Sequence, residues 1–122
     1  MKKTILIVDD SESLRQVVNI ALTGGGYDVL EAKDGVDGLS KLNGSKVHLI
    51  ISDVNMPNMN GIDFVKQVKT LDKYRFTPII MLTTENQEYL KEESRKAGAK
   101  AWMVKPFKPD QMLQAVSKLL SR

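Results

Sequence analysis

Two acidic residues in succession, Asp9-Asp10, a third at Asp53 and a lysine-proline pair at Lys105-Pro106 are the residues of this chain best suited to chemistry. Each follows an apolar run that reads as a buried strand: Thr4-Ile5-Leu6-Ile7-Val8, Val47-His48-Leu49-Ile50-Ile51-Ser52 and Ala101-Trp102-Met103-Val104. If those strands run parallel, three carboxylates and one ammonium gather at one end of a sheet. Three carboxylates do not stay ionised side by side without a cation. The set therefore predicts a metal site built for handling phosphate. Mg²⁺ suits it, since that ion takes one or two carboxylates, keeps waters and shares its ligands with phosphate oxygens. Asp10 is the expected direct ligand, with Asp9 acting through water and Asn55, in the loop after Asp53, offering its backbone carbonyl. Asp53 itself is a candidate nucleophile toward phosphorus, giving an acyl phosphate. Lys105 would bring positive charge to the phosphoryl group, and Thr83, at the end of another apolar run, a hydroxyl.

The rest of the composition narrows the classes. A length of 122 residues suits one domain, residues 1–122, with no output domain expected. The net charge of +3, from 18 basic and 15 acidic residues, is mild, and no basic block interleaves with aromatics, so no nucleic acid is expected as a partner. The absence of cysteine removes disulfides, thiolate metal sites and cysteine nucleophiles together. No apolar stretch approaches the roughly 18 residues of a membrane span, and the opening strand is too short for a signal-peptide core. The expectation is a cytoplasmic monomer with no membrane contact.

The elements that must position these residues alternate along the chain. Leu14, Val17, Val18, Ala21 and Leu22 fall on one helical face, with Ser11 as N-cap and Gly24-Gly25-Gly26 as the stop. Tyr27 to Ala32 is a more polar, alternating strand suited to a sheet edge. Asp34 can cap a short helix carrying Val36, Leu39 and Leu42, and Asn60 one carrying Ile62, Val65, Val68 and Leu71. Pro78-Ile79-Ile80-Met81-Leu82 is a fourth strand. The helix from Glu85 to Lys96 has only Tyr89 and Leu90 as large apolar residues, so it is expected to be the least firmly anchored. The last helix inserts Met112, Leu113, Val116, Leu119 and Leu120. Five βα units with continuous apolar strands predict an α/β three-layer sandwich around a parallel five-stranded sheet. Right-handed crossovers and an edge second strand favour the order 2-1-3-4-5, with ligands bound beyond the ends of strands one and three.

The motifs Ile5-Leu6-Ile7-Val8-Asp9-Asp10, Asp53 with Met56-Pro57 and Met59-Asn60-Gly61, Leu82-Thr83-Thr84-Glu85, Ala97-Gly98-Ala99 and Lys105-Pro106-Phe107 together span nearly the whole chain. In them the chain resembles a response-regulator receiver domain, most of all the free-standing chemotaxis type, whose fold is flavodoxin-like (βα)5. The resemblance implies that Asp53 accepts a phosphoryl group from the phosphohistidine of a histidine kinase (CheA-like). It implies that Asp9, Asp10, Asp53 and the Asn55 carbonyl organise Mg²⁺, and that Lys105 contacts the phosphoryl group. It implies a cis Lys105-Pro106 peptide, accessible before proline alone. Thr83 would swing toward the phosphate and the aromatic three residues before the lysine, here Trp102, would turn inward and change the surface around the last strand and helices. Tryptophan is a departure, since chemotaxis-type receivers usually carry tyrosine there; it has an N–H donor and no hydroxyl. Asn55 and Glu85 resemble the residues that tune fast dephosphorylation. The implied partners are the kinase, a flagellar motor switch protein or a phosphatase.

Other classes are open at this stage. One is a phosphate-independent protein-interaction module, or a phosphate sink, on the same fold. Another is an aspartyl phosphatase, although no segment is long enough for a substrate-covering cap. A flavin carrier would need a hydroxyl- and glycine-rich loop after strand one, where Asp9-Asp10-Ser11-Glu12-Ser13 instead repels a flavin phosphate. His48, alone and without partners at ligand spacing, reads as structural.

Overall fold

A computed structural model describes residues 2–84 and 88–121 of the chain. Glu85, assigned above a role in dephosphorylation, lies outside the described residues. Five strands, β1 (Thr4–Val8), β2 (Asp28–Ala32), β3 (Leu49–Asp53), β4 (Ile79–Thr83) and β5 (Ala101–Val104), form one parallel sheet in the order 2-1-3-4-5. Helices α1 (Glu12–Gly24), α2 (Gly35–Lys41), α3 (Gly61–Lys69), α4 (Glu88–Ala97) and α5 (Pro109–Leu120) alternate with them, and a single 3-10 turn, Asp72–Tyr74, precedes β4.

The continuous apolar runs are explained by burial on both faces of the sheet. Leu6, Val8, Ile50, Ile79 and Met81 point to the side covered by α2, α3 and α4, where Phe64, Val65 and Val68 of α3 fill the core. Ile5, Ile7, Leu49, Ile51, Ile80 and Leu82 point to the other side, against Val18 and Leu22 of α1 and Met112 and Val116 of α5. The side-chain caps read from the sequence form as expected: Ser11 accepts the Leu14 N–H, Asp34 the Asp37 N–H and Asn60 the Asp63 N–H.

Two helix positions correct the periodic reading. Val17 is 49% exposed and Val36 54% exposed. A helix lying on a sheet buries a narrow stripe, and these half-exposed valines sit at its margins. His48 precedes β3 instead of lying within it; its Nδ1 accepts the Thr4 N–H at 2.9 Å, tying the start of β1 to the start of β3. Within α4 the described residues bury only Ser94, which fits the weak anchoring expected of that helix.

Candidate functional site

The parallel register carries the chemistry to one edge. Val8 pairs with Ser52 and Asp53 with Leu82, while Thr83 pairs with Val104, so the residues at the ends of β1, β3, β4 and β5 converge. Carboxylate oxygens of Asp9, Asp10 and Asp53 lie within 4.8 Å of one another. Lys105, 96 residues from Asp9 in sequence, reaches across the mouth. Its Nζ stands 2.9 Å from Asp9 Oδ2 and 3.5 Å from Asp53 Oδ1. The Lys105-Pro106 peptide is cis.

The three acids are held differently. Asp9 is fully buried, and both of its oxygens are engaged: Oδ1 accepts the Ser11 N–H at 2.9 Å and Oδ2 accepts from Lys105. Asp10, two residues past the end of β1, is exposed. Asp53 is 6% exposed, and its pKa is pushed up to about 6. Burial is the main cause and the Asp9 carboxylate the next; Lys105 and the Asn55 backbone N–H, which hydrogen-bonds the carboxylate, oppose them. A carboxylate with that pKa is unusually basic yet still mostly ionised at pH 7, which suits a nucleophile. Thr83 is buried at the end of β4, and its carbonyl accepts the Lys105 N–H at 2.7 Å, locking the lysine backbone to that strand.

Hard carboxylate oxygens beside a buried, mutually repelling pair fit a small divalent oxygen-seeking cation, and nothing in the donor set suits a soft metal. Asp10 has the freest carboxylate for direct ligation, whereas the oxygens of Asp9 are already committed. The loop after β3 places Asn55 at the surface with its N–H on Asp53. Trp102 stands on β5 and packs against the α3–α4 side of the core, as do Leu90, Ala97 and Ala99; its Nε1 is buried and has no hydrogen-bond partner among the described residues. The candidate acids, Lys105 and Thr83 thus come together, while Trp102 lies behind them on the α4 side.

Several supporting residues escaped the sequence reading. Arg15 donates from Nη1 to the Asp9 carbonyl at 2.6 Å and from Nε to Glu31 at 3.0 Å, bracing the acidic turn. Asn58, with φ of 70°, donates to Asp34 at 2.8 Å and so anchors the loop that bears Asn55. Gly61 approaches the backbone so closely that a Cβ there would lie 2.0 Å from the Asp53 carbonyl oxygen. The spacing Met59-Asn60-Gly61 was the only trace of that contact in the sequence.

A sheet of this order, with three acids and a cross-sheet lysine at one end, has the architecture of a receiver domain, and the comparisons with known proteins agree. The model of the response regulator receiver domain family matches residues 5–117, and the chain belongs to that family. Among the relatives, the chemotaxis protein CheY1 of Helicobacter pylori is 39% identical over 118 residues, covering 95% of each chain. The structure of the Vibrio cholerae chemotaxis protein CheY4 superposes with a TM-score of 0.95 at 45% identity, covering 98% of this chain and 100% of that one. The alkaline phosphatase synthesis transcriptional regulatory protein PhoP of Bacillus subtilis is also 39% identical, but the match covers only 50% of its length. The chain is therefore a CheY-like receiver of two-component signalling.

Proposed function

We propose that the chain is a phosphorylation switch whose acceptor is Asp53. In this reading an Asp53 carboxylate oxygen attacks the phosphorus of a phosphohistidine on a histidine kinase (CheA-like). The Oδ–P bond forms as the P–N bond breaks, and the departing imidazole nitrogen takes up a proton. Water later cleaves the acyl phosphate, returning the carboxylate and inorganic phosphate. Mg²⁺, held by Asp10, Asp53 and the Asn55 carbonyl, with Asp9 acting through water, would offset the charge of the acids and of the phosphoryl oxygens. Lys105, already turned toward Asp53, would move its ammonium to the phosphoryl group, and Thr83 would donate its hydroxyl there. Trp102 would report the change to the α4–β5 surface, and Asn55 and Glu85 would set how long the phosphoryl group lasts. Output then passes to another protein, a flagellar motor switch component or a phosphatase, in the cytoplasm.

The observation that carries this reading is the convergence of three carboxylate groups within 4.8 Å with Lys105 Nζ 3.5 Å from the most nucleophilic of them. The chemotaxis branch is supported by the near full-length similarity to CheY1 and CheY4. The test is intact-mass analysis after acetyl phosphate or phosphoramidate with Mg²⁺. One phosphoryl adduct is expected, trapped at Asp53 by borohydride reduction, absent in Asp53→Asn and absent with chelator. Trp102 fluorescence should respond saturably to Mg²⁺ and then to beryllofluoride. No adduct and no Mg²⁺ response would make the chain a phosphate-independent interaction module.

A further inference from the structure

At the end of the sheet opposite Asp53, a cleft of about 490 Å³ opens between the starts of the strands and the end of α5. Its walls include Lys3 before β1, His48 before β3, Pro78 before β4, Lys100 before β5 and Lys118 in the last turn of α5. Phe76 stands at its rim and is 87% exposed. Strands of five residues put this cleft roughly 16 Å from the acidic cluster.

The cleft is chemically one-sided. Three lysines and a histidine line it, and among the described residues no carboxylate does. Lys3 is used in part, since its Nζ donates to the Leu120 carbonyl at 2.9 Å. Neither Lys100 nor Lys118 is ion-paired among the described residues. The Lys100 charge is felt nearby: together with burial, the larger cause, it lowers the pKa of Lys69, whose Nζ donates to the Thr77 carbonyl at 2.7 Å. His48 adds a donor. Its Nδ1 accepts the Thr4 N–H, so the neutral ring carries its proton on Nε2. The floor is apolar, formed by Pro78, Leu119 and Leu120.

We propose that this basal cleft is a second docking site, for an acidic segment of a partner protein that inserts one aromatic or branched apolar side chain beside Phe76 and sets carboxylates against Lys100 and Lys118. Charge complementarity chooses the sign of the partner. The concave apolar floor chooses an inserted side chain over a flat lipid surface, and an exposed phenylalanine would be unused by a small inorganic anion. Interfaces of this kind concentrate binding in an aromatic anchor, with charges around it adding specificity and association rate. The site goes beyond the phosphoacceptor reading and does not depend on it, because no lining residue belongs to the acidic cluster.

The test is a ¹⁵N NMR titration of the full chain with a blocked heptapeptide, Asp-Glu-Asp-Phe-Glu-Asp-Glu, and with the same peptide carrying glycine for phenylalanine. Saturable shifts are expected around Thr4, His48, Phe76, Lys100 and Lys118, with a Kd below about 1 mM at low salt. Phe76→Ser and Lys100→Glu, both at exposed positions, should each weaken binding by roughly tenfold. Asp53→Asn should leave the affinity unchanged, which separates this site from the phosphoacceptor. Equal binding of the glycine peptide, shifts spread over all surface lysines or centred on α4, or an affinity altered by Asp53→Asn would each overturn the proposal. So would binding to phosphatidylserine vesicles with none to the peptide.

Discussion

Replacing Asp53 by asparagine should stabilise the metal-free protein, and by an amount that depends on pH in a set way. The folded-state pKa of Asp53 is about 6, above the ordinary value of 3.8. The folded form therefore holds a proton that the unfolded chain releases. Stability from this group is complete below pH 3.8 and is lost as pH rises through 6. The resulting penalty is about 1 kcal/mol at pH 4.5 and about 3 kcal/mol at pH 7.5, each tenfold change in proton affinity being worth about 1.4 kcal/mol. Asparagine keeps the shape and abolishes the charge. With chelator present, Asp53→Asn should melt roughly 12 °C above the native protein at pH 7.5 and only ~4 °C above it at pH 4.5, at about 4 °C per kcal/mol for a domain of this size. Calorimetry at the two pH values is the assay. Mg²⁺ at ten times its Kd should raise the native protein by about 1.4 kcal/mol, and Asp53→Asn by much less. An Asp53→Asn protein no more stable than the native one at pH 7.5, or a gain independent of pH, would refute the reasoning that burial and the Asp9 charge strain this carboxylate.

Lys105→Ala should cost about 3 kcal/mol in urea melts, because it leaves the fully buried Asp9 carboxylate without its cation, and Asp9→Asn in the same chain should recover much of the loss. Gly61→Ala should cost at least about 3 kcal/mol or prevent folding, since the new Cβ would lie 2.0 Å from the Asp53 carbonyl and the obstacle is backbone; circular dichroism during denaturation reads it. Tyr74→Phe should cost about 1–2 kcal/mol without touching phosphorylation, because the hydroxyl donates to the Ser45 carbonyl at 2.7 Å and accepts the Gly44 N–H at 2.9 Å.

Much of this molecule was legible before its structure. Apolar runs bounded by charged residues give strands because a sheet buried on both faces leaves few polar positions inside them, and Asp9 and Asp53 stand where the runs end, still buried. Ser11, Asp34 and Asn60 betray their helices because a cap is a local contact, made within three residues. What escaped was made at a distance. Arg15 is an ordinary helix residue until β1 and β2 bring the Asp9 carbonyl and Glu31 beside it. Asn58 reads as loop until its positive φ aims the amide at Asp34. Val17 and Val36 look inward by period, yet a helix on a sheet covers a stripe narrower than the period allows. Asn55 was valued for its carbonyl; its N–H on the Asp53 carboxylate depends on the conformation of the loop.

The same features that fit Asp53 for chemistry leave the resting domain under electrostatic strain. Burial raises the basicity of the carboxylate, and Asp9 keeps a second charge beside it, so the apo cluster is a source of instability with one cation to temper it. Any occupant that neutralises the acids stabilises the whole edge of the sheet, and Lys105 is the residue free to choose between them. Its backbone is tied to Thr83, and Trp102 lies three residues before it, on β5. In the proposed switch, a shift of the lysine from Asp9 toward a phosphoryl group on Asp53 would pull on β4 and β5 together. On that side α4 buries only Ser94 among its described residues and shares with Trp102 the lining of a cavity of about 320 Å³, and the buried indole N–H of Trp102 has no hydrogen-bond partner among the described residues. Under the proposed function, strain at the acids and slack at α4 would be two ends of one device, with the change at Asp53 expressed where the packing resists it least.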